Sequence, residues 1–148
     1  MVNRVTICNM KKLALFLFLS FSFIVSSYAD SDSCINAYDN DVYENIVIEC
    51  TTPASEGDMV SQNILGWAYL NGLGVTQDYS IALSWISKSA DQGNTWALGQ
   101  LGLMYQNGYG VSKDYNQAFT LLTSAGKDWE GELEALEILI AAETTEQP

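Results

Sequence analysis

Residues 65–82 read LGWAYLNGLGVTQDYSIA, and residues 101–118 read LGLMYQNGYGVSKDYNQA. Leu65-Gly66, Tyr69, Gly72, Gly74, Val75, Asp78, Tyr79 and Ala82 of the first stretch return in the second at a constant offset of 36 residues. The same offset carries Ala54 to Ala90 and Gly57 to Gly93, making eleven identities in one register. A period of this size marks a solenoid, in which each repeat is one supersecondary unit that buries its apolar face only by stacking on the next.

Each repeat reads as two helices. Val60, Ile64, Trp67 and Ala68 recur at helical spacing after Asp58, and Gly72 suits the left-handed residue that ends such a helix. Gly74 keeps the turn tight, and Asp78 is placed to cap the second helix, whose apolar stripe is Ile81, Ala82, Trp85 and Ile86. Gly93 ends that helix. The small residues Gly66, Ala82, Gly102 and Ala118 predict close helix–helix approach, since a larger side chain would hold the axes apart.

Working outward, Asp41 to Thr52 reads as a lone second helix, because Tyr43 stands 36 residues before Tyr79. A short helix around Ser33 to Tyr38 precedes it. Downstream, Glu132 to Ala142 reads as a third first helix with Leu133, Leu136 and Ile140 inward, although Gly126 stands 33 rather than 36 residues after Gly93. Glu143 to Pro148 reads as a frayed tail. The expectation is an all-α, right-handed αα-hairpin solenoid of about six helices. Its divisions are a leader at 1–29, an N-terminal cap at 30–53, repeats at 54–89 and 90–125, and a capping helix and tail at 126–148.

The leader is read from Lys11-Lys12, the apolar run Leu13 to Val25, and Ser27 and Ala29 at the −3 and −1 positions of a cut. This is the pattern of a secretory signal peptide, with a run too short for a membrane anchor. Asp30 rather than Cys follows the cut, against a lipid anchor. Met10 with Lys11-Lys12 offers an alternative start. The expected destination is the periplasm or the exterior.

The 148 residues carry 6 Lys+Arg, 18 Asp+Glu and no His, a net charge of −12. All 18 acids lie from Asp30 onward, where only Lys88, Lys113 and Lys127 oppose them, so the 119 residues after the cut carry −15. A nucleic-acid footprint and a polybasic membrane patch are excluded. The acidity either favours a basic protein partner or serves only to keep an exported protein soluble. Cys8 leaves with the leader, and an even pair, Cys34 and Cys50, remains to form a disulfide in an oxidising compartment.

The pattern Ala-x-x-Gly-Asp…Leu-Gly-x-x-Tyr-x-x-Gly-x-Gly-Val-x-x-Asp-Tyr-x-x-Ala spans Ala54 to Ala82 and again Ala90 to Ala118, with Asn94 in place of the Asp. In this it resembles the Sel-one-like repeat family, relatives of tetratricopeptide repeats. The resemblance implies a superhelix whose concave face is lined by each first helix, and a role as adaptor or binding partner. Some small exported members resemble immunity proteins that neutralise antibacterial effectors in the periplasm. A cysteine-rich branch is described as acting on β-lactams and carries paired Cys in every repeat. Both repeats here lack Cys.

Positions that the family pattern leaves free are the candidate partner contacts. On the first helices these are Asn63, Trp67 and Leu70, with Gly99, Leu103 and Gln106 standing 36 later. Trp96 and the turn residue Tyr109 join them, because buried Trp and Tyr anchors dominate many interfaces. Ser124 and Lys127 have the Ser-x-x-Lys spacing of serine β-lactamases, but Gly126 breaks the helix between them. Glu130, Glu134 and Glu137 share one helix face, which suits a solvated cap better than paired acid–base work. Asp39-Asn40-Asp41…Glu44 resembles a calcium loop without its sixth-position Gly. No catalytic, cofactor or metal site is expected. The function expected is capture of a protein, with an immunity role, an envelope adaptor and a weak hydrolase as the readings to be weighed.

Overall fold

A computed structural model describes residues 31–145. The expected leader at 1–29, with Cys8 and the expected cut before Asp30, lies outside the described residues, as do residue 30 and the last three residues. The described chain is all-helical. It begins with a helix over residues 31–39 (α1). Next come α2 (Tyr43–Glu56), α3 (Met59–Asn71), α4 (Tyr79–Asp91), α5 (Thr95–Asn107) and α6 (Tyr115–Ala125). A 3-10 turn (Lys127–Trp129) and α7 (Glu130–Thr145) close the chain. The seven α-helices among the described residues are the segments expected, with α1 as the short helix around Ser33 to Tyr38, and α7 runs three residues into the expected tail.

The repeat capping residues act alike in both hairpins. The Asp58, Asp78, Asn94 and Asp114 side chains accept backbone N–H bonds from Ser61, Ile81, Ala97 and Gln117 at 2.7–3.1 Å. Each satisfies a donor that the first turn of a helix leaves free. At the other end, Gly72 and Gly108 are left-handed caps of α3 and α5. Asn71 and Asn107, also 36 apart, each donate a side-chain N–H to the carbonyl four residues back, Trp67 at 2.9 Å and Leu103 at 2.8 Å.

The cap helix α2 differs from expectation at both ends. Asp41 takes φ +56° in the turn after α1, so the helix starts at Tyr43 rather than Asp41. It also runs through Pro53 to Glu56. Proline removes one helical hydrogen bond, but Pro53 is fully buried with its neighbour Ala54, and that burial offsets the loss.

Two contacts set the stacking. Within each hairpin the helices meet at glycine: a Cβ on Gly66 would stand 2.6 Å from Ile86 Cγ1, and one on Gly102 would stand 2.9 Å from Leu122 Cγ. Between hairpins, a Cβ on Gly74 would stand 1.9 Å from the Tyr43 carbonyl oxygen, and one on Gly110 would stand 2.6 Å from that of Tyr79. The second contact repeats at the 36-residue spacing and places α2 where a repeat's second helix belongs. A relay adds to this: Gln92 Nε2, at the C-cap of α4, donates to Gln62 Oε1 (2.8 Å), and Gln62 Nε2 donates to the Ala54 carbonyl (2.9 Å), linking the end of α4 through α3 to α2.

The core is one continuous stack. Ile46, Cys34 and Cys50 lie in its first part, Ile86, Ala97 and Met104 in its middle, and Leu122, Trp129 and Leu136 in its last. Cys34 and Cys50 form a disulfide with Cα atoms 4.6 Å apart, tying α1 to α2. Among the described residues no helix is long and apolar enough to cross a membrane.

Closing this 16-residue loop stabilises the fold by about 3 kcal/mol in the chain-entropy model. A Cys34→Ser/Cys50→Ser variant should melt about 10 °C below the parent, as read by far-ultraviolet circular dichroism. Gly74→Ala should cost about 3 kcal/mol in chemical denaturation, since it meets a backbone carbonyl at a positive φ. Gly131→Ala, with open space around it, should gain about 0.5–1 kcal/mol.

Candidate functional site

The first helices α1, α3 and α5 share one face, and a cavity of about 390 Å³ opens between them. Ile35, Tyr38 and Asp39 of α1 line it, as do Val60, Asn63 and Ile64 of α3. Asn94, Trp96 and Gln100 complete it from the start of α5. No Lys or Arg lines the cavity. Trp96 is the most open of its aromatics at 57% exposure, and Tyr38 stands at 39%. The Asn63 Oδ1 and Gln100 Oε1 atoms are buried without hydrogen-bond partners. A buried amide oxygen left unpaired in this way costs on the order of 1–3 kcal/mol.

The walls are held from behind. The Tyr38 ring stands edge-on to Trp67 at 5.2 Å, and the Tyr43 ring tilts onto Trp67 at 6.1 Å. Tyr43 donates its hydroxyl to the Asp41 carboxylate, and this bond, aided by desolvation, raises the Tyr43 pKa above the ordinary phenol value. At the far wall Trp96 stands edge-on to Trp129 at 5.7 Å. Trp129 lies across Gly99 so closely that a Cβ there would fall 2.0–2.5 Å from the indole. The 3-10 turn that delivers Trp129 begins after Gly126 (φ +88°), which accounts for the slipped register.

The structure therefore divides the residues singled out in the sequence. Asn63 and Trp96 come together in the cavity. Trp67 is half-buried behind Tyr38 and Tyr43. Leu70 and Leu103 pack against the core, and Gln106 is half-buried with its Oε1 enclosed. Tyr109 lies beyond the end of α5, about 20 Å along the axis from Trp96 at 1.5 Å per residue, and stacks on Tyr79 at 4.6 Å. Ile35, Tyr38, Asp39, Val60 and Gln100 line the cavity without having been singled out. Tyr38 escapes the 36-residue register because the α1–α2 turn is shorter than those inside the repeats. Gln100 occupies the register of the buried Ile64 and so reads as core.

The chemistry-bearing runs settle elsewhere. Ser124 donates its hydroxyl to the Thr120 carbonyl at 2.8 Å, and Lys127 lies beyond the break at Gly126. Glu130, Glu134 and Glu137 lie on α7. Among the described residues no three His, Cys, Asp or Glu side chains are grouped to hold a metal ion.

The Sel1 repeat matches residues 60–94 and 97–128. A Sel1 repeat protein from Oxalobacter formigenes is 31% identical with a TM-score of 0.63, over 70% of this chain and 44% of its own. The structure of c5321, a protective antigen present in uropathogenic Escherichia coli strains displaying an SLR fold, is 28% identical with a TM-score of 0.68. That likeness covers 75% of this chain and 26% of c5321. The chain thus spans less than half of the first structure and about a quarter of the second. No curated protein matches it. These likenesses and the two hairpins define an α-solenoid of helical repeats. The chain belongs to the Sel1-repeat family, whose members are generally protein-interaction modules.

Gly99→Ala should drive the Trp129 indole from its seat. The expected result is a red-shifted tryptophan emission and a loss of about 1–3 kcal/mol in denaturation.

Proposed function

We propose that this chain is an exported module that captures a partner protein in the α1/α3/α5 groove, and that it serves in the periplasm as an immunity protein against a toxic effector. The groove carries the reading: open aromatics and polar side chains stand on a rigid wall of stacked hairpins. Exposed Trp and Tyr are among the residues that most often anchor an interface hot spot. The leader-like first 29 residues support export, and the Cys34–Cys50 bond supports an oxidising compartment. The excess of acids over bases supports a basic partner, drawn in by long-range attraction.

On this reading the protein acts by stoichiometric occlusion and not by catalysis. An adaptor in an envelope complex would use the same groove for a resident partner. A hydrolase built on Ser124 is disfavoured by the engagement of its hydroxyl within α6.

The test is affinity capture of the tagged full chain from its native envelope, at low and moderate salt, with co-purifying proteins identified by mass. One near-stoichiometric basic partner is expected, with capture reduced at least tenfold by Trp96→Ala. A partner toxic to cells that lack this chain would establish immunity, and a non-toxic resident protein would establish the adaptor. Absence of any partner, or capture indifferent to Trp96, would refute the groove.

A further inference from the structure

We propose that the Cys34–Cys50 bond is an assembly switch for the groove: with two free thiols α1 stands off the stack, and oxidation docks it and completes the binding wall. This rests on the protein-binding reading and adds the condition under which the groove exists.

Helix α1 is weakly anchored apart from its cysteine. Of its nine residues only Cys34 and Ala37 are buried, whereas α3 buries six residues and α5 five. Beyond these, half-buried Ile35 and the edge of Tyr38 on Trp67 touch the stack. A helix of this length does not persist alone, because nucleation is costly and helices below about 12–15 residues are marginal in water. So little contact must then outweigh the entropy of ordering the whole segment. The disulfide removes much of that cost by tying α1 to α2. The turn between them holds Asp41 at φ +56°, a region that residues other than glycine seldom enter, so release of α1 also relaxes the turn. When α1 leaves, Ile35, Tyr38 and Asp39 leave the groove with it. The rest of the stack keeps its own supports, since α2 is held by buried Ile46, Pro53 and Ala54 and by the Gly74 turn against Tyr43.

The chemical step is thiol–disulfide exchange. The Cys34 and Cys50 thiols give two electrons and two protons to a disulfide oxidant, which departs as two thiols, and one S–S bond forms in the chain. In the docked form both cysteines are fully buried, so a reducing thiolate reaches the sulfurs only when the helix opens. The bond is therefore set once and kept. A chain on the proposed export route gains its groove only where disulfides form.

The experiment is amide hydrogen exchange of the full chain, read by nuclear magnetic resonance in a Cys8→Ser background that leaves Cys34 and Cys50 as its only cysteines. Three forms are compared: the oxidised parent, the parent reduced in denaturant and refolded in dithiothreitol, and Cys34→Ala/Cys50→Ala. The amides of Asn40, Asp41 and Val42 donate to the Asn36, Tyr38 and Ala37 carbonyls and report on α1. They should exchange roughly tenfold faster or more in the second and third forms, while α3 to α6 keep their protection. Oxidised glutathione should restore protection to the reduced parent and not to the variant. The proposal is overturned if α1 is as protected in the reduced parent as in the oxidised one, or if the reduced parent loses protection throughout the stack. Should the variant alone fail to fold, the reduced parent, which keeps both cysteines, decides. Exchange needs no partner and so stands apart from capture. Equal capture by the oxidised and reduced chains, with α1 released, overturns the switch and leaves the protein-binding reading standing. No capture by the oxidised chain refutes that reading and leaves the redox-dependent docking of α1 to the exchange result.

Discussion

The whole stack depends on a backbone contact that only glycine permits. Gly74 and Gly110 bring the turn of one hairpin against the first carbonyl of the preceding second helix, at Tyr43 and Tyr79. Any side chain there would push the hairpins apart. The positive φ of both residues would make the strain worse. Because the contact is made by backbone, it recurs in both repeats although the neighbouring side chains differ. The turns hold the repeat spacing while the remaining positions on the first helices vary. Solenoids with few repeats need this, since each unit is stable only through its neighbours.

That rigidity explains how a chain of modest core can present a polar groove. Groups such as Asn63 Oδ1 and Gln100 Oε1 are costly to enclose, and a softer scaffold would turn them to water. Here α1 is anchored by the Cys34–Cys50 bond, α3 by its close approach to α4, and α5 by Trp129 lying over Gly99. Each support holds one of the three helices that line the groove. The disulfide thereby serves the site as well as the fold, because it fixes the helix that brings Tyr38 and Asp39 to the groove.

The two ends of the solenoid solve the same problem differently. At the N-terminus α2 keeps the repeat register, and its Tyr43 accepts the glycine turn as a full second helix would. At the C-terminus the chain leaves the register through a 3-10 turn and uses one large aromatic, Trp129, to cover the exposed side of α5. A repeat with Asn rather than Gly at position 99, as Asn63 stands in the first repeat, would leave no room for that indole.

Much of this architecture was legible in the sequence because it rests on local and periodic signals. The glycine turns, the Asp and Asn caps, the small residues at helix contacts and the paired Cys each carry their reason within a few residues or within one period. The site was legible only in part. Asn63 and Trp96 were visible as positions free of the repeat pattern. Trp67 and Leu103 occupy equivalent free positions, yet they support walls and core instead of lining the groove. Tyr38 and Trp129 lie on segments whose connections depart from the 36-residue spacing, so periodicity held no information about where they land. Composition and repeat length therefore determined the class of fold and its charge. Only the tertiary packing of α1 and of the 3-10 turn decided which first-helix positions stay open, because openness depends on what the neighbouring element covers.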